Sequence, residues 1–216
     1  MSLLAKKTGN GQDIPPIDSG TYHAVCYLVV DLGTQYNAIF DHKAHKVVIG
    51  WEIPELRIQW EKDNVPRDMP RAISKIYTLS LHEKSNLTKD LICWRGRAFT
   101  EEEEQGFDIL SIIGANCILQ VIQTKKGDKT YANVVGVSKM MKNMQKVKPE
   151  NATVTYSMET NGLVIPETLP DWMRDIIRKS EEYRGDRNDT SNPDLEETGQ
   201  ASSAAMSQDE EDDIPF

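Results

Sequence analysis

The stretch KVVIGWEIPELRI, residues 46–58, places apolar side chains at every second position of its first half. These apolar residues are Val47, Ile49, Trp51 and Ile53. Because side chains alternate between the two faces of a strand, this spacing predicts a β-strand with one buried face. Gly50 interrupts the stretch and predicts a bulge or a sharp bend.

Further β-rich stretches lie on both sides of this one. They cover residues 21–32 before it and residues 72–81, 117–124 and 130–138 after it. β-branched and aromatic residues bounded by turn residues are typical of strands. The sequence KKGDK, residues 125–129, predicts a hairpin loop between the last two strands.

Helical segments are predicted after the third strand and after the fifth. Ser85 is a candidate N-cap, and Thr100 with Glu103 fits a capping box that opens EEEEQGFDILSIIG. Residues 169–183, LPDWMRDIIRKSEEY, carry a proline at the start and an apolar stripe of Trp172, Ile176 and Ile177, which predicts the last helix.

The order of elements is therefore three strands, a helical insert, two strands and a helix. A five-stranded barrel with a helix between strands 3 and 4 is the topology of the oligonucleotide/oligosaccharide-binding (OB) fold. The sequence predicts a mainly β (α+β) protein. It consists of a five-stranded OB-fold barrel with a helical insert between strands 3 and 4, a C-terminal helix and a disordered acidic tail.

Composition divides the chain into four parts. Residues 1–18 are predicted to be a flexible N-terminal arm, 19–180 the OB-fold domain, 181–208 a disordered linker, and 209–216 an acidic tip. Residues 181–216 hold twelve acids and two bases, so this segment has a formal charge of −10, whereas the whole chain has −9. The other 180 residues are at +1, and the overall acidity does not exclude a polyanionic partner for them.

Several classes of protein are not supported by the sequence. No apolar run is long enough to span a membrane, and the first residues lack the pattern of a signal peptide. Three widely spaced cysteines indicate a reducing cytoplasm rather than a disulfide framework. No P-loop, nucleophile-elbow or HExxH motif occurs, so we predict neither an enzyme nor a cofactor.

The sequence DHKAH brings three potential metal ligands together. These are Asp41, His42 and His45. A complete site needs further ligands, and a polar loop between strands 1 and 2 is the better account, so no metal is predicted.

Basic and aromatic residues are interleaved through the middle of the chain, as in proteins that bind single-stranded DNA with a cationic groove and stacking rings. The candidate DNA-binding residues are Lys43, Lys46, Trp51, Arg57, Trp60, Arg71, Lys75, Tyr77, Trp94, Arg95, Arg97, Lys125, Lys126, Lys129 and Tyr131. Each has a structural alternative. Trp51 lies on the same face of its strand as Val47 and Ile49 and could be a core residue. The arginines of WRGRAF could pair with the acids of residues 101–104. The hairpin lysines could be exposed to solvent without a ligand.

The chain ends in DEEDDIPF, residues 209–216. An acidic segment is steered toward basic surfaces, and an apolar end adds short-range specificity. Phe216 can fill a pocket, Pro215 limits the entropy lost on docking, and the terminal carboxylate can meet a basic side chain. The ending therefore predicts a short motif that docks on other proteins.

DEEDDIPF closely resembles the acidic tip of bacterial single-stranded DNA-binding proteins, in which the tip recruits replication, recombination and repair enzymes. LTKDLICWRGRAFTEEE, GFDI and KTYANVVGVSK resemble a family of phage-encoded proteins treated as single-stranded DNA-binding or replication-associated. The body departs from the cellular family in its first strand and its longer insert, so that no stacking residue is carried over. The resemblance implies a phage protein that coats single-stranded DNA without sequence preference in the cytoplasm of its bacterial host and recruits host enzymes through its tail. It also implies partner-binding roles for Asp209, Glu210, Glu211, Asp212, Asp213, Ile214, Pro215 and Phe216.

Three alternatives stay open at this point. A single-strand annealing recombination protein would also bind DNA but would pair strands actively. An adaptor would bind protein through its body and mimic the host tip. A nuclease or other metal-dependent enzyme is the most distant, and the sequence leaves open whether the chain forms a homo-oligomer.

Overall fold

The computed structural model describes residues 14–39, 41–62 and 65–188. The strands are β1 (Gly20–Asn37), β2 (His42–Lys62), β3 (Val65–Thr78), β4 (Asn116–Lys126), β5 (Lys129–Lys139) and β6 (Val154–Tyr156). The helices are α1 (Asn86–Arg95), α2 (Glu101–Gln105), α3 (Met158–Asn161), α4 (Asp171–Arg178) and α5 (Glu181–Asn188), with a 3₁₀ turn at Ile109–Ile112. In the described part of the chain, no helix has the length and hydropathy needed to cross a bilayer.

The protein is mainly β and is built on one open sheet. Its strand order is β3-β2-β1-β4-β5, with antiparallel neighbours, and β6 pairs with β1 in parallel. The predicted five strands and their order along the chain are confirmed, whereas the short β6 is an addition that the sequence did not reveal. Its three residues are too few to show a period.

The two faces of β1 and β2 cover two separate cores. Val29, Val47, Ile49 and Trp51 face the larger core with the insert, while the neighbouring Val48 faces the smaller core. The smaller core also contains Leu28, Val30, Leu32, Tyr156, Leu169, Met173 and Ile177. The predicted alternation of residues 47–53 is therefore confirmed, and burial of both faces explains the continuous apolar run of residues 24–30 in β1.

Gly50 lies opposite a bulge rather than in one. The register shifts between Cys26 and Leu28 of β1, so the extra residue is on the partner strand. A Cβ atom on Gly50 would come within 3.0 Å of the Leu28 Cβ. A glycine at this position lets the two strands approach closely at the bend.

The β2–β3 hairpin is longer than the sequence predicted. β2 extends to Lys62 and β3 begins at Val65, with ladder pairs out to those residues. The side chains of residues 66–68 are exposed, so no apolar period reveals this end of the hairpin. Its strand character comes from backbone pairing, which leaves little trace in the sequence.

Helix α1 packs between the two edge strands of the sheet. It contacts both β3 and β5, and Asp90 accepts hydrogen bonds from Lys75 and Tyr77 of β3 at 3.0 and 2.7 Å. Both predicted caps are confirmed, because Ser85 accepts from the Thr88 N–H and Thr100 with Glu103 forms a complete capping box.

The connection from β5 to β6, residues 140–153, is held by two polar side chains, the partly buried Asn116 and the buried Glu52. Asn116 accepts from the Val147 N–H at 2.8 Å and donates to its carbonyl at 2.9 Å. The fully buried Glu52 accepts from the backbone N–H groups of Glu150 and Asn151 at 2.6 and 2.9 Å. Because an unpaired buried carboxylate would be costly, these bonds define the path of the connection.

The predicted last helix is divided in two at Ser180. This residue is fully buried, and its Oγ accepts from the Tyr183 N–H at 3.3 Å, which starts α5 anew. The predicted apolar stripe is shifted as well, since Met173 and Ile177 are buried but Trp172 is 37% exposed. Which side of a short helix is buried depends on where the helix packs against the sheet, and the local sequence does not specify this.

Two of the predicted part boundaries differ from the structure. Ile17 is buried in the larger core, and its carbonyl accepts from Gln123, so the arm predicted over residues 1–18 is shorter than that. Helix α5 covers the first eight residues of the linker predicted over 181–208. The rest of the linker and the tip, residues 189–216, lie outside the described residues.

Candidate nucleic-acid interface

Three of the rings predicted to stack on bases are part of the protein core. Trp51, Tyr77 and Trp94 are 0%, 1% and 6% exposed. The two indoles lie 5.9 Å apart between ring centroids, and the Trp94 Nε1–H donates to the Asn116 carbonyl at 2.9 Å. The prediction that these rings contact DNA is therefore corrected: the insert covers the face of the sheet on which they lie.

The arginines of WRGRAF are engaged within the insert. Arg97 donates to both oxygens of Glu103 at 2.7 and 2.8 Å, and Arg95 pairs with the same carboxylate. Arg95 also lies over the rings of Phe99 and Phe107, 4.5 and 4.9 Å from their centroids. Hydrogen bonds from Arg97 and the Thr100 backbone hold the pKa of Glu103 at about 2. Arg95 and Arg97 therefore pair with the acidic run of residues 101–104, as the structural alternative predicted.

Most basic residues of β2 and β3 also have partners inside the protein. Arg57 is paired with Asp68 and Glu150, Lys75 with Asp90, and Lys46 donates to the Thr78 hydroxyl. Arg71 donates to the Pro15 carbonyl. Trp60 lies in β2, and its side chain is outside the described part.

The β4–β5 hairpin presents the clearest free charge among the predicted residues. Lys125, Lys126 and Lys129 are exposed, and none of them lies within 4.0 Å of a carboxylate oxygen among the described residues. Tyr131 is half-buried at the base of the hairpin, opposite Thr124. This hairpin keeps the properties that a phosphate contact needs: charge, exposure and freedom from internal pairing.

The β1–β2 hairpin carries an exposed ring that the sequence analysis did not select. Tyr36 is 56% exposed and is the cross-strand neighbour of Lys43. Alternation in strand 1 could have revealed it, but the predicted strand ended at residue 32. Lys43 itself is paired with Glu181 of α5 at 2.5 Å.

The strand register places the predicted lysines at two ends of the sheet. Lys43 and Lys46 pair with the last residues of β1, whereas Val121 of β4 pairs with Gly20 at the start of β1, and the hairpin lysines lie beyond it. The structure therefore does not gather the fifteen predicted residues into one site.

A groove of about 710 Å³ runs between the sheet, the insert and α3. Its floor is apolar and includes Val29, Val47, Leu87, Phe107 and Tyr156. Its charged lining residues are Asp31, Asp108, Glu159, Glu182 and His45. An excess of carboxylates repels phosphate, so this groove is not suited to a nucleic acid.

Two carboxylates of helix α5 contact the β1–β2 ladder, Glu181 at Lys43 and Glu182 at Thr34. Glu182 accepts from the Thr34 N–H at 2.8 Å and from the Thr34 hydroxyl at 2.6 Å. His45 donates to Asp31 at 2.6 Å and lies 3.8 Å from Glu182. Three predicted features thus meet here, since Lys43, a base assigned to DNA, and His45 of DHKAH each contact the start of the predicted linker, at Glu181 and Glu182.

The protonation of this contact follows from its hydrogen bonds. Burial opposes ionisation of Glu182, but the bonds from Thr34 outweigh it and lower the pKa of Glu182 below its ordinary value of 4.5. The hydrogen bond to Asp31 raises the pKa of His45 above 6.5. The ionised Glu182 therefore stabilises the folded protein above pH 4.5, and this stabilisation is lost as the pH falls through the lowered pKa. The protonated His45 stabilises the folded protein fully below pH 6.5, and this stabilisation is lost as the pH rises through the raised pKa.

We expect Glu182→Gln to release α5 while the sheet stays folded. The substitution removes charge-assisted hydrogen bonds worth about 1–2 kcal/mol at a partly exposed site, so amide exchange of residues 181–185 should accelerate about tenfold at pH 7. Lys43→Gln is the matched control, because an exposed ion pair contributes less than about 1 kcal/mol. Hydrogen exchange read by mass spectrometry measures both, and equal acceleration in the two variants would contradict this role of Glu182.

Within the described residues, no group of three or more histidine, cysteine or acidic side chains is arranged to hold a metal ion. His45 of DHKAH is instead bonded to Asp31.

No family model matches the chain, and no curated protein is similar enough to it to indicate common ancestry.

Proposed function

We propose that the protein binds single-stranded DNA without sequence preference and recruits other proteins through its C-terminal tip, residues 209–216. In this proposal it is a phage protein that acts on DNA in the cytoplasm of a bacterial host. The observation that carries the proposal is the terminal sequence DEEDDIPF, which resembles the tip of bacterial single-stranded DNA-binding proteins.

The strand pairings support an OB-type body for this function. β1 pairs with β2 and β4, β2 with β3, and β4 with β5, which are four of the five pairings of an OB barrel. The edge strands β3 and β5 come within 8 Å of each other between Cα atoms, and α1 contacts both. We infer that the sheet is an OB barrel whose last seam is covered by α1.

The charge distribution supports a mainly electrostatic mode of binding. Three predicted stacking rings are buried, and three hairpin lysines are exposed and unpaired with described carboxylates. Phosphate neutralisation by lysine releases counterions and does not depend on base sequence. In this mechanism the lysines supply affinity, and single-strand preference comes from a flexible backbone that follows the protein surface.

Titration with fluorescent oligo-dT and with a duplex of equal length tests the proposal. We expect oligo-dT to bind more tightly, with a log–log salt dependence of about −0.7 for each phosphate neutralised. Replacing Lys125, Lys126 and Lys129 by glutamine should reduce the slope by about 2. Equal affinity for the two DNAs, or no binding at low salt, would overturn the proposed function.

An adaptor is the second candidate function. The burial of Trp51, Tyr77 and Trp94 favours it, because buried rings cannot serve as the usual stacking platform. An adaptor would show the tip-dependent binding of host replication, recombination and repair proteins but no binding of oligo-dT. An annealing protein would bind oligo-dT and would also accelerate pairing of complementary strands.

A further inference from the structure

A second basic surface lies outside the residues that the sequence analysis selected. Residues 139–149, KMMKNMQKVKP, contain four lysines and no acid; we call them the lysine segment. Lys139, Lys142, Lys146 and Lys148 are all exposed. None of the four lies within 4.0 Å of a carboxylate oxygen in the described ranges.

The two carboxylates at the end of the lysine segment, Glu52 and Glu150, already have partners of their own. Glu150 is paired with Arg57 at 2.8 Å. The buried Glu52 accepts three hydrogen bonds from residues 150 and 151. The positive charge of the segment is therefore directed to solvent and is not cancelled locally.

The backbone of the lysine segment is fixed although it belongs to no helix or strand after Lys139. Both polar groups of the Val147 backbone are bonded to the Asn116 side chain, at 2.8 and 2.9 Å. The bonds to Glu52 hold the chain again three residues later. Lys146 and Lys148 flank the anchored Val147, so their Cα atoms are within about 7.6 Å of each other.

Anchoring of this kind changes what the lysines can do. A lysine on a mobile loop must lose backbone entropy when it binds, at about 1–2 kcal/mol for each ordered residue. Here the partly buried Asn116 and the buried Glu52 have already ordered the backbone, so only the lysine side chains are restricted by a ligand. Met141 is 65% exposed beside Lys142 and offers an apolar contact for an unstacked base.

We propose that the lysine segment is a preformed phosphate-binding ridge for single-stranded DNA, in which Lys146 and Lys148 contact successive phosphates. This inference rests on the proposed function and assigns it a surface separate from the β4–β5 hairpin. Polyanion chemistry alone would also suit duplex DNA, but a short ridge with an exposed methionine suits a strand whose bases are free.

The test compares two double variants that remove the same charge. Lys146→Gln/Lys148→Gln should weaken oligo-dT binding by roughly 25-fold at 0.1 M salt and reduce the salt slope by about 1.4, since each lost phosphate contact is worth about fivefold there. Lys84→Gln/Lys89→Gln removes two exposed lysines at α1 and should leave the slope unchanged. Lys146→Arg/Lys148→Arg keeps the charge and should bind as the unaltered protein does.

The outcomes separate this inference from the proposed function. The ridge would be overturned, and the proposed function left intact, by one result. In that result the salt slope of Lys146→Gln/Lys148→Gln is unchanged, while the variant with glutamine at residues 125, 126 and 129 binds oligo-dT weakly. An equal loss in the α1 control would show a general charge effect and would also overturn the ridge. If the unaltered protein does not bind oligo-dT, both fail. Unchanged thermal unfolding in all variants shows that the fold is not the cause.

Discussion

Replacing Trp51 by alanine is expected to lower the free energy of unfolding by about 3–5 kcal/mol. The indole is fully buried, and it packs against the ring of Trp94 and the helical insert. Truncation removes one of the two indoles of this core and leaves a cavity where the sheet and α1 meet. Urea unfolding followed by circular dichroism measures the change.

Two further variants show whether the effect is one of packing. Trp51→Phe should cost much less, because a ring is kept and the indole N–H, which has no acceptor among the described atoms, is removed. Tyr36→Ala should change the stability by less than about 0.5 kcal/mol, because Tyr36 is exposed. If Trp51→Ala remained as stable as the unaltered protein but lost oligo-dT binding, Trp51 would be a base platform and its burial in the core would be wrong.

Removal of the tip, residues 209–216, is expected to abolish binding to host replication, recombination and repair proteins. The loss should exceed that of charge removal, because Phe216, Pro215 and the terminal carboxylate would act together in one pocket. Phe216→Ala alone should reproduce most of it. Affinity capture with the full chain and with each variant, followed by identification of the captured proteins, measures the effect.

Controls distinguish specific docking from attraction of a polyanion. Asp209→Asn removes one charge at the far end of the tip and should reduce capture only slightly, whereas one glycine added after Phe216 keeps every charge and should reduce it strongly. Melting temperatures should be equal, since the strands and the residues of both cores lie between residues 17 and 177. Unchanged capture of these enzymes by the truncated protein would contradict the docking role.

Local patterns predicted the elements of the fold well. The period of two in residues 47–53 placed the core face of β2 correctly, and Ser85 and Thr100 cap the helices that were expected to start after them. These features involve neighbours within four residues, so the sequence contains all the information they need. The same holds for the hairpin of β4 and β5, whose turn has Gly127 at a φ of +60°.

The candidate interface was predicted less well, because exposure is not a local property. Tyr77 and Trp94 belong to segments that could face either way, and the packing of α1 against β3 and β5 buries them. Arg95 and Arg97 pair with Glu103, eight and six residues away, which the sequence indicated as the alternative to a DNA contact. Composition could show that these residue types occur together but not which of them meet.

The sequence by itself determined the strands, the helix caps and the acidic ending, since each depends on residue order over a few positions. Only the tertiary structure decided which basic groups are free. Arg57 is paired with Glu150 and Lys75 with Asp90, acids that are 93 and 15 residues away, while the hairpin lysines and the lysine segment face solvent. The physical reason is that a charge is neutralised by whatever folding brings within about 4 Å of it, and such neighbours come from distant parts of the chain.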